Sequence, residues 1–369
     1  MSAAIKLGMV GGGQGAFIGA VHRMAARLDG QYELVAGALS SDPTRAIASG
    51  QALGLERIYT DFTEMAQLEA THPDGIEAVS IVTPNHLHFA PVKAFLEAGI
   101  HVICDKPLTA SLEEAEMLAG LTPKNGAKFL LTHNYTGYPM VRLARELVQS
   151  GHLGNIRLVQ VEYLQDWLAA DISNKQADWR TDPARAGIGG AIGDIGTHAY
   201  NLLRFVTQLK PETLSADLHS FVPGRSLDDN AQMMLRFANG ARGMLWASQV
   251  ARGNENELSI RVYGENGGLE WAQSDCNTLW YCEAGKPKQM LRRGGPLPHG
   301  LTMSDPRVPA GHPEGYIEAF ATLYADFAEI IRKAPAKNAL PNLHDGLEGV
   351  QFIAAAVKSS TKNSLWVAL

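Results

Sequence analysis

Ile5-Lys6-Leu7-Gly8-Met9-Val10-Gly11-Gly12-Gly13-Gln14-Gly15-Ala16 is the stretch on which the reading of this chain turns. A short apolar run, Ile5 to Val10, gives way to a glycine-rich turn and then to a helical segment, the order strand, tight turn, helix. Glycine permits the turn and lets backbone N–H groups approach an anion at a helix N-terminus. Gly11, Gly13, Gln14, Gly15 and Ala16 are therefore candidates to cradle a pyrophosphate, with a purely structural turn as the alternative. Gly13 and Gly19 stand six apart, about three residues more than the usual fingerprint. Phe17 and Ile18, within that excess, either cover the ligand or pack against the helix.

Outward from this turn, short apolar runs alternate with helical periodicity as far as about residue 132, which predicts a parallel sheet covered by crossover helices. Ile5 to Val10, Tyr32 to Leu39, Ala78 to Thr83, His101 to Cys104 and Lys128 to Thr132 read as strands. Phe89, Val92, Phe95 and Leu96 mark one face of a helix closed by Gly99. After His133 the rhythm changes. A helix at Met140 to Ser150 and a strand at Arg157 to Leu164 lead into Asp229 to Val250, whose Asn239-Gly240 is a strong hairpin signal. Glu257 to Tyr263 and Gly268 to Ala272 continue the sheet, and two helices, Gly315 to Lys333 and His344 to Ser360, close the chain. The expected fold class is α/β: a doubly wound Rossmann domain over residues 1–132, then residues 133–369 built on a large, mainly antiparallel open sheet. The second domain is expected to bind substrate and form oligomers, with its C-terminal helices free to pack back on the first.

A chain of 369 residues with 46% hydrophobic content supports two sizeable cores. Its 32 basic and 38 acidic side chains give a net charge of −6, and no window gathers the basic stripe that nucleic acid or anionic lipid demands. Cys104, Cys276 and Cys282 have neither disulfide nor zinc spacing, so a reducing compartment and no bound metal are expected. The N-terminus lacks a secretory pattern, and no apolar run approaches the roughly 18 residues of a membrane span, so the expected location is the cytoplasm.

An acidic residue at the end of the second strand usually grips the adenosine ribose of a bound dinucleotide. Here the chain reads Leu39-Ser40-Ser41-Asp42-Pro43. Ser40 and Ser41, with Arg45 a turn away, suit a 2′-phosphate, whereas Asp42 suits a ribose hydroxyl. Helix capping is the plainer use of Ser41 and Asp42. NAD and NADP both stay open.

Three further motifs complete a pattern: Thr83-Pro84-Asn85-His86-Leu87-His88, Cys104-Asp105-Lys106-Pro107-Leu108, and Gly189-Gly190-Ala191-Ile192-Gly193-Asp194-Ile195-Gly196-Thr197-His198. In order and spacing the chain resembles the Gfo/Idh/MocA oxidoreductase family over nearly its whole length, including Asp345-Gly346-Leu347 and Ser364-Leu365-Trp366-Val367. The resemblance implies a Rossmann domain that binds NAD or NADP, an α/β domain with a large sheet, and an active site in the cleft between them. It implies catalytic roles for Lys106, Asp194 and His198. It also implies cofactor contacts from the glycine loop and from Thr83, Pro84, Asn85, His88, Asp105, Lys106 and Asn134. Trp179 and Arg180 match pairs that reach cofactor or substrate, and Tyr135 falls near the nicotinamide end. A homodimer or homotetramer through the C-terminal sheet is the assembly implied. The chain departs from the family in its extended glycine loop and in Asn201, where many members carry Asp.

Alcohol oxidation needs a proton acceptor that titrates near neutrality, and His198 is of that type. Asp194, four residues before it, falls on the same helical face and is placed to align the imidazole. An ordinary surface pair is the alternative. Lys106 follows an apolar strand at the carboxyl edge of the sheet, where its charge would favour an alkoxide-like transition state. His86 and His88 have no acidic or cysteine partner nearby in sequence, so they read as a loop wall rather than metal ligands. His312, set between Gly311 and Pro313, is a candidate substrate contact. With Lys106, Tyr135, Arg180, Asp194 and His198 it makes up the expected substrate set. The expected function is hydride transfer between a nicotinamide dinucleotide and a hydroxyl-bearing carbon of a sugar or cyclic polyol. The alternatives are an NAD-dependent glycosidase and a dinucleotide-binding regulator without turnover.

Overall fold

The computed structural model describes residues 3–369 except 299, 302, 304–305 and 335–337. Its first sheet contains β1 (Ile5–Gly11), β2 (Tyr32–Ala38), β3 (Arg57–Ile58), β4 (Ala78–Val82), β5 (His101–Cys104) and β6 (Phe129–Leu131). All pairings are parallel, in the order β3-β2-β1-β4-β5-β6. That is the doubly wound order, and its switch point opens a crevice at the carboxyl ends of β1 and β4. The strands are buried on both faces, which is why they read as continuous apolar runs: Leu7, Met9, Val79 and Ile81 are all at 0% exposure. β3 has only two residues, too few for a periodic signal.

Local chemistry starts and stops the crossover helices. Asp42, Asp61 and Ser111 each accept a backbone N–H from the first turn of the helix they precede. The Phe89–Ala98 helix ends on Gly99 at φ 87°, a left-handed position that glycine adopts without strain.

The chain forms two units: residues up to Asn134 together with Tyr316–Glu348, and Tyr135–Gly315 together with Gly349–Leu369. Residues 133–369 are therefore not one block. The Tyr316–Ile331 helix joins the first unit because its apolar face, Phe320, Tyr324 and Phe327, packs with Val21 and Ala25 of the Phe17–Leu28 helix.

The second unit is built on nine strands: β7 (Ile156–Leu164), β8 (Pro211–His219), β9 (Asn230–Phe237), β10 (Arg242–Ser248), β11 (Glu257–Gly264), β12 (Gly267–Ala272), β13 (Thr278–Glu283), β14 (Gln289–Arg292) and β15 (Val367–Ala368). Their order is β14-β13-β12-β11-β7-β10-β9-β8-β15, and only β7 and β10 pair in parallel. Asn239-Gly240 turns β9 into β10, with Gly240 at φ 85°. Along β9, Ala231, Met233, Leu235 and Phe237 are buried while Gln232, Met234 and Arg236 face outward. This is the period of a sheet covered on one face. The Thr197–Thr207 helix packs on β7, β10 and β11 of that face, and the Pro139–Gln149 helix packs beside it.

Candidate active site

Five loops at the carboxyl edge of the first sheet, after β1, β2, β4, β5 and β6, carry candidate residues of the first unit. The glycine loop and the start of the Phe17–Leu28 helix line an open cleft of about 450 Å³. Gly13, Gln14, Gly15, Ala16 and Phe17 are brought together there. Gly11, Gly12 and Gly15 all have φ above +70°. No side chain caps the helix at Ala16, so its first turn is open to an anion. Phe17 is 64% exposed at the cleft wall, whereas Ile18 packs into the core.

Gly12, Gly19, Arg23 and Ser49 complete this cradle, and of these Arg23 and Ser49 carry no signal in the sequence. A Cβ on Gly19 would lie 2.4 Å from Gly12 Cα, so these two glycines let helix and loop touch. Arg23 reaches back to donate to the Gly12 carbonyl at 2.8 Å, which brings a guanidinium under the loop. Ser49 Oγ accepts from Gln14 N at 3.2 Å.

After β2, Asp42 caps the next helix by accepting from Arg45 N at 2.8 Å, and Ser40 Oγ accepts from Asp42 N at 3.1 Å. Ser41 and the Arg45 side chain are exposed. After β4, Thr83 Oγ1 donates to the Leu87 carbonyl at 3.1 Å, Pro84 leads into a short turn, and Asn85 is buried. The fully buried His88 ring lies 2.7 Å from the Pro107 carbonyl and 2.8 Å from the Thr83 carbonyl, tying this loop to the Lys106-Pro107 segment. Two carbonyl acceptors favour a doubly protonated ring, but burial outweighs them and holds the His88 pKa below its ordinary value.

After β5, the peptide bond between Lys106 and Pro107 is cis. Asp105 points inward and accepts from Thr132 Oγ1 at 3.1 Å, while His22 Nε2 lies 3.9 Å away, too far for a hydrogen bond. Burial alone would raise the Asp105 pKa, yet His22, Lys106 and His88 together hold it below the usual range. After β6, burial and the Lys106 charge push His133 down to about 3, so it is neutral at working pH. Asn134 follows at 2% exposure, its Nδ2 without a hydrogen-bond partner. A buried orphan amide donor is costly unless a ligand satisfies it. The glycine cradle and this donor fit a dinucleotide: the loop and the helix start would hold its pyrophosphate, and Asn134 a polar group further along.

The catalytic candidates of the second unit meet at an irregular helix. Residues Ile192–Gly196 form a π-helical turn that runs directly into the Thr197–Thr207 α-helix. Asp194 lies in the wide turn and His198 in the first α-turn, rather than both on one regular helix. Such π segments often mark functional positions. A partner from the loop between β8 and β9 holds the entry: Asp228 accepts from Gly190 N at 2.7 Å and Ile192 N at 2.8 Å, and its carbonyl accepts from Ala191 N at 2.8 Å. A Cβ on Gly190 would sit 2.0 Å from that carbonyl, so this approach requires glycine.

Asp194 Oδ2 accepts from Arg180 Nε at 3.1 Å and from Gln249 Nε2 at 3.0 Å. The Arg180 guanidinium stacks 4.2 Å from the Trp179 ring centroid and 5.8 Å from that of Trp167. In this structure Trp179 and Arg180 therefore serve Asp194. His198, 8% exposed, meets the Tyr135 ring edge-on at 5.0 Å and the Tyr163 ring at 6.0 Å. Burial raises the Tyr135 phenol pKa.

His312 is exposed, and the structure does not gather it with Asp194 and His198 by any described contact. Its loop is fixed instead by Arg293, which pairs with Glu314 at 3.1 Å and donates to the carbonyls of Val308, Pro309 and His312. Arg293 and Glu314 are far apart in sequence and both deeply buried, so only the fold pairs them.

Comparison with known proteins places this geometry in company. Residues 5–133 match the profile of an oxidoreductase family with an NAD-binding Rossmann fold, and residues 141–270 match a GFO/IDH/MocA C-terminal domain. An uncharacterized oxidoreductase, YfiI of Bacillus subtilis, is 36% identical over 100% of this chain and 97% of its own. The crystal structure of an oxidoreductase from Sinorhizobium meliloti is 53% identical with a TM-score of 0.90, covering 99% of this chain and 100% of that one. An inositol dehydrogenase homolog from Azotobacter vinelandii, complexed with NADH and myo-inositol, is 36% identical with a TM-score of 0.93, covering 100% of this chain and 98% of that one.

Proposed function

The chain belongs to the GFO/IDH/MocA oxidoreductase family, and from that premise we propose that it oxidises a ring hydroxyl of a neutral sugar or cyclic polyol, or reduces the corresponding ketone. Its N-terminal domain is an NAD-binding Rossmann domain. The observation that carries the proposal is the junction of π-turn and α-helix, where Asp194, gripped by Arg180 and Gln249, stands just before His198.

When bound, the nicotinamide supplies the hydride acceptor or donor. The protein handles the proton and the developing charge. His198 takes the hydroxyl proton on an imidazole nitrogen in the oxidative direction and returns it in the reductive one. Asp194 aligns that ring and stabilises its cationic form. Lys106 sits beside negative charge on the reacting oxygen. The glycine cradle, with Arg23 beneath it, would hold the pyrophosphate, and Asn134 would orient the nicotinamide end. The myo-inositol bound to the Azotobacter relative supports a cyclic polyol over a linear one.

A panel of inositols and aldoses mixed with NAD, followed by absorbance at 340 nm, tests the reading. Lys106→Ala is expected to lose roughly 10²-fold in turnover while cofactor binding stays nearly intact. Full turnover in that variant removes Lys106 from the reaction. Release of nitrophenol from chromogenic glycosides without net NAD reduction replaces the dehydrogenase by a glycosidase. Tight NAD binding with silence in both assays leaves a regulator.

The outward face of the nine-stranded sheet supports assembly as a dimer or tetramer. Leu158, Met234 and Met244 are 54%, 53% and 58% exposed there, on adjacent strands. A monomer by light scattering at micromolar concentration would end that part of the proposal. No helix among the described residues is long and apolar enough to cross a membrane.

A further inference from the structure

Trp167, Gln165, Asn256, Tyr163 and Tyr135 form one hydrogen-bonded chain in the second unit, and one end of it can point only one way. An indole N–H donates and never accepts. Trp167 Nε1, 3.0 Å from Gln165 Oε1, therefore fixes which end of the Gln165 amide is oxygen. Gln165 Nε2 must then donate to Asn256 at 2.6 Å, which makes the receiving atom Oδ1. The same Oδ1 accepts from the Tyr163 hydroxyl at 2.8 Å, so the single proton of Tyr163 is committed there. The hydroxyls of Tyr163 and Tyr135 are bonded to each other, and the proton between them accordingly belongs to Tyr135. Asn256 Nδ2 closes a ring by reaching the Tyr135 oxygen at 3.4 Å while donating to Gln273 Oε1 at 2.9 Å. Protein groups thus fill every donor and acceptor position of the Asn256 amide.

Tyr135 and Tyr163 are 3% and 4% exposed, and they are the two rings that flank His198. A buried polar ring with every member satisfied is stiff. We propose that Asn256 is a positioning residue for His198: it locks the Tyr135–Tyr163 pair that holds the imidazole, and it leaves Tyr135 an acceptor with no proton to offer. The inference rests on the reading of His198 as the proton acceptor.

The test compares Tyr163→Phe, Asn256→Leu and the double variant for kcat, KM and the NMR titration of the His198 ring. Each single change breaks the same ring, so each is expected to lower kcat roughly tenfold with KM within about twofold, and the double to lose no more than either alone. Loosened rings admit water, which favours the imidazolium, so the His198 midpoint moves up in Tyr163→Phe. Losses that add in the double variant, or that fall on KM, overturn the proposal in favour of separate substrate contacts. An unchanged kcat with an unmoved midpoint overturns it as well. If Asn256→Leu fails to fold, Tyr163→Phe decides alone, since it removes one oxygen. Should the wild-type protein oxidise no polyol at all, the functional reading falls, and the NMR midpoint still judges the ring.

Discussion

Arg180 Nε donates to Asp194 Oδ2 at 3.1 Å, while the guanidinium carbon lies over the Trp179 ring, 4.2 Å from its centroid. On the proposed role of Asp194 as the group that stabilises the His198 imidazolium, Arg180 offsets part of that carboxylate's charge. Arg180→Gln frees that charge, so the acidic limb of kcat/KM for alcohol oxidation is expected to move to higher pH, with kcat down roughly tenfold or more. Arg180→Lys restores the charge but not the stacking or the fork, and is expected to recover only part of the rate. A pH–rate series on the three proteins checks this, and an unmoved limb in Arg180→Gln excludes the coupling.

With His198 as proton acceptor, kcat/KM in the oxidative direction falls as pH drops and the imidazole becomes charged. The reductive direction shows the opposite limb. His198→Gln cannot take a proton, so the acidic limb should flatten and the rate should collapse. A variant that keeps both the rate and the limb would move the acceptor role to Lys106 or to a bound water.

Dinucleotide choice should be weak. Asp42 is occupied as a helix cap and Ser40 by the Asp42 N–H, so the ribose end meets no dedicated acid. The Arg45 side chain is 70% exposed and held by little, so it makes a loose site for a 2′-phosphate. Calorimetric dissociation constants for NAD and NADP are expected within about a hundredfold, near 2.7 kcal/mol. A larger preference would mean that this turn closes on the ribose in a way the free protein does not display.

Burial pushes Asp228 up to about 6, against the two backbone N–H groups that favour its charge. A carboxyl whose folded pKa exceeds its unfolded value stabilises the protein fully only below the unfolded pKa, and that contribution is lost as pH rises through the folded one. Between about pH 4 and pH 7 Asp228 should therefore reduce unfolding free energy by at most about 3 kcal/mol, less to the extent that its partly exposed carboxyl stays solvated. Denaturant titrations of wild type and Asp228→Asn across this window should differ in slope, the wild type losing more. Parallel slopes would show that Asp228 is already ionised at pH 4.

Repetition of simple chemistry along the chain made the first sheet legible. A parallel strand buried on both faces must be continuously apolar, as Ala78 to Val82 is, and a tight turn at φ 73° must be glycine, as Gly12 and Gly15 are. For the same reason the hairpin at Asn239-Gly240 and the Gly99 helix end could be placed from local residues alone. As candidates, Lys106 follows from the strand before it, and Asp194 and His198 from the motif that resembles the family's.

What local patterning cannot encode is a partner far away in the chain. Nothing near Gly190 announces Asp228, whose carbonyl requires that glycine and whose carboxylate holds the π-turn. The sequence spacing of Asp194 and His198 predicts a regular helix, and the wider turn exists because tertiary contacts anchor its entry. Asn256, Gln165 and Trp167 are unremarkable polar or aromatic residues until β7 and the segment preceding β11 bring them onto the Tyr135–Tyr163 pair. The Tyr316–Ile331 helix joins the first unit because its aromatic face finds the Phe17–Leu28 helix, a match of surfaces and not of neighbouring residues. By itself, then, the sequence determined the long strands of the first sheet, the glycine turns and the chemical types of the candidate residues, because propensity, turn geometry and burial period act over a few residues. Tertiary structure alone decided which donor meets which acceptor, because a hydrogen bond requires atoms within about 3.5 Å regardless of how much chain lies between them.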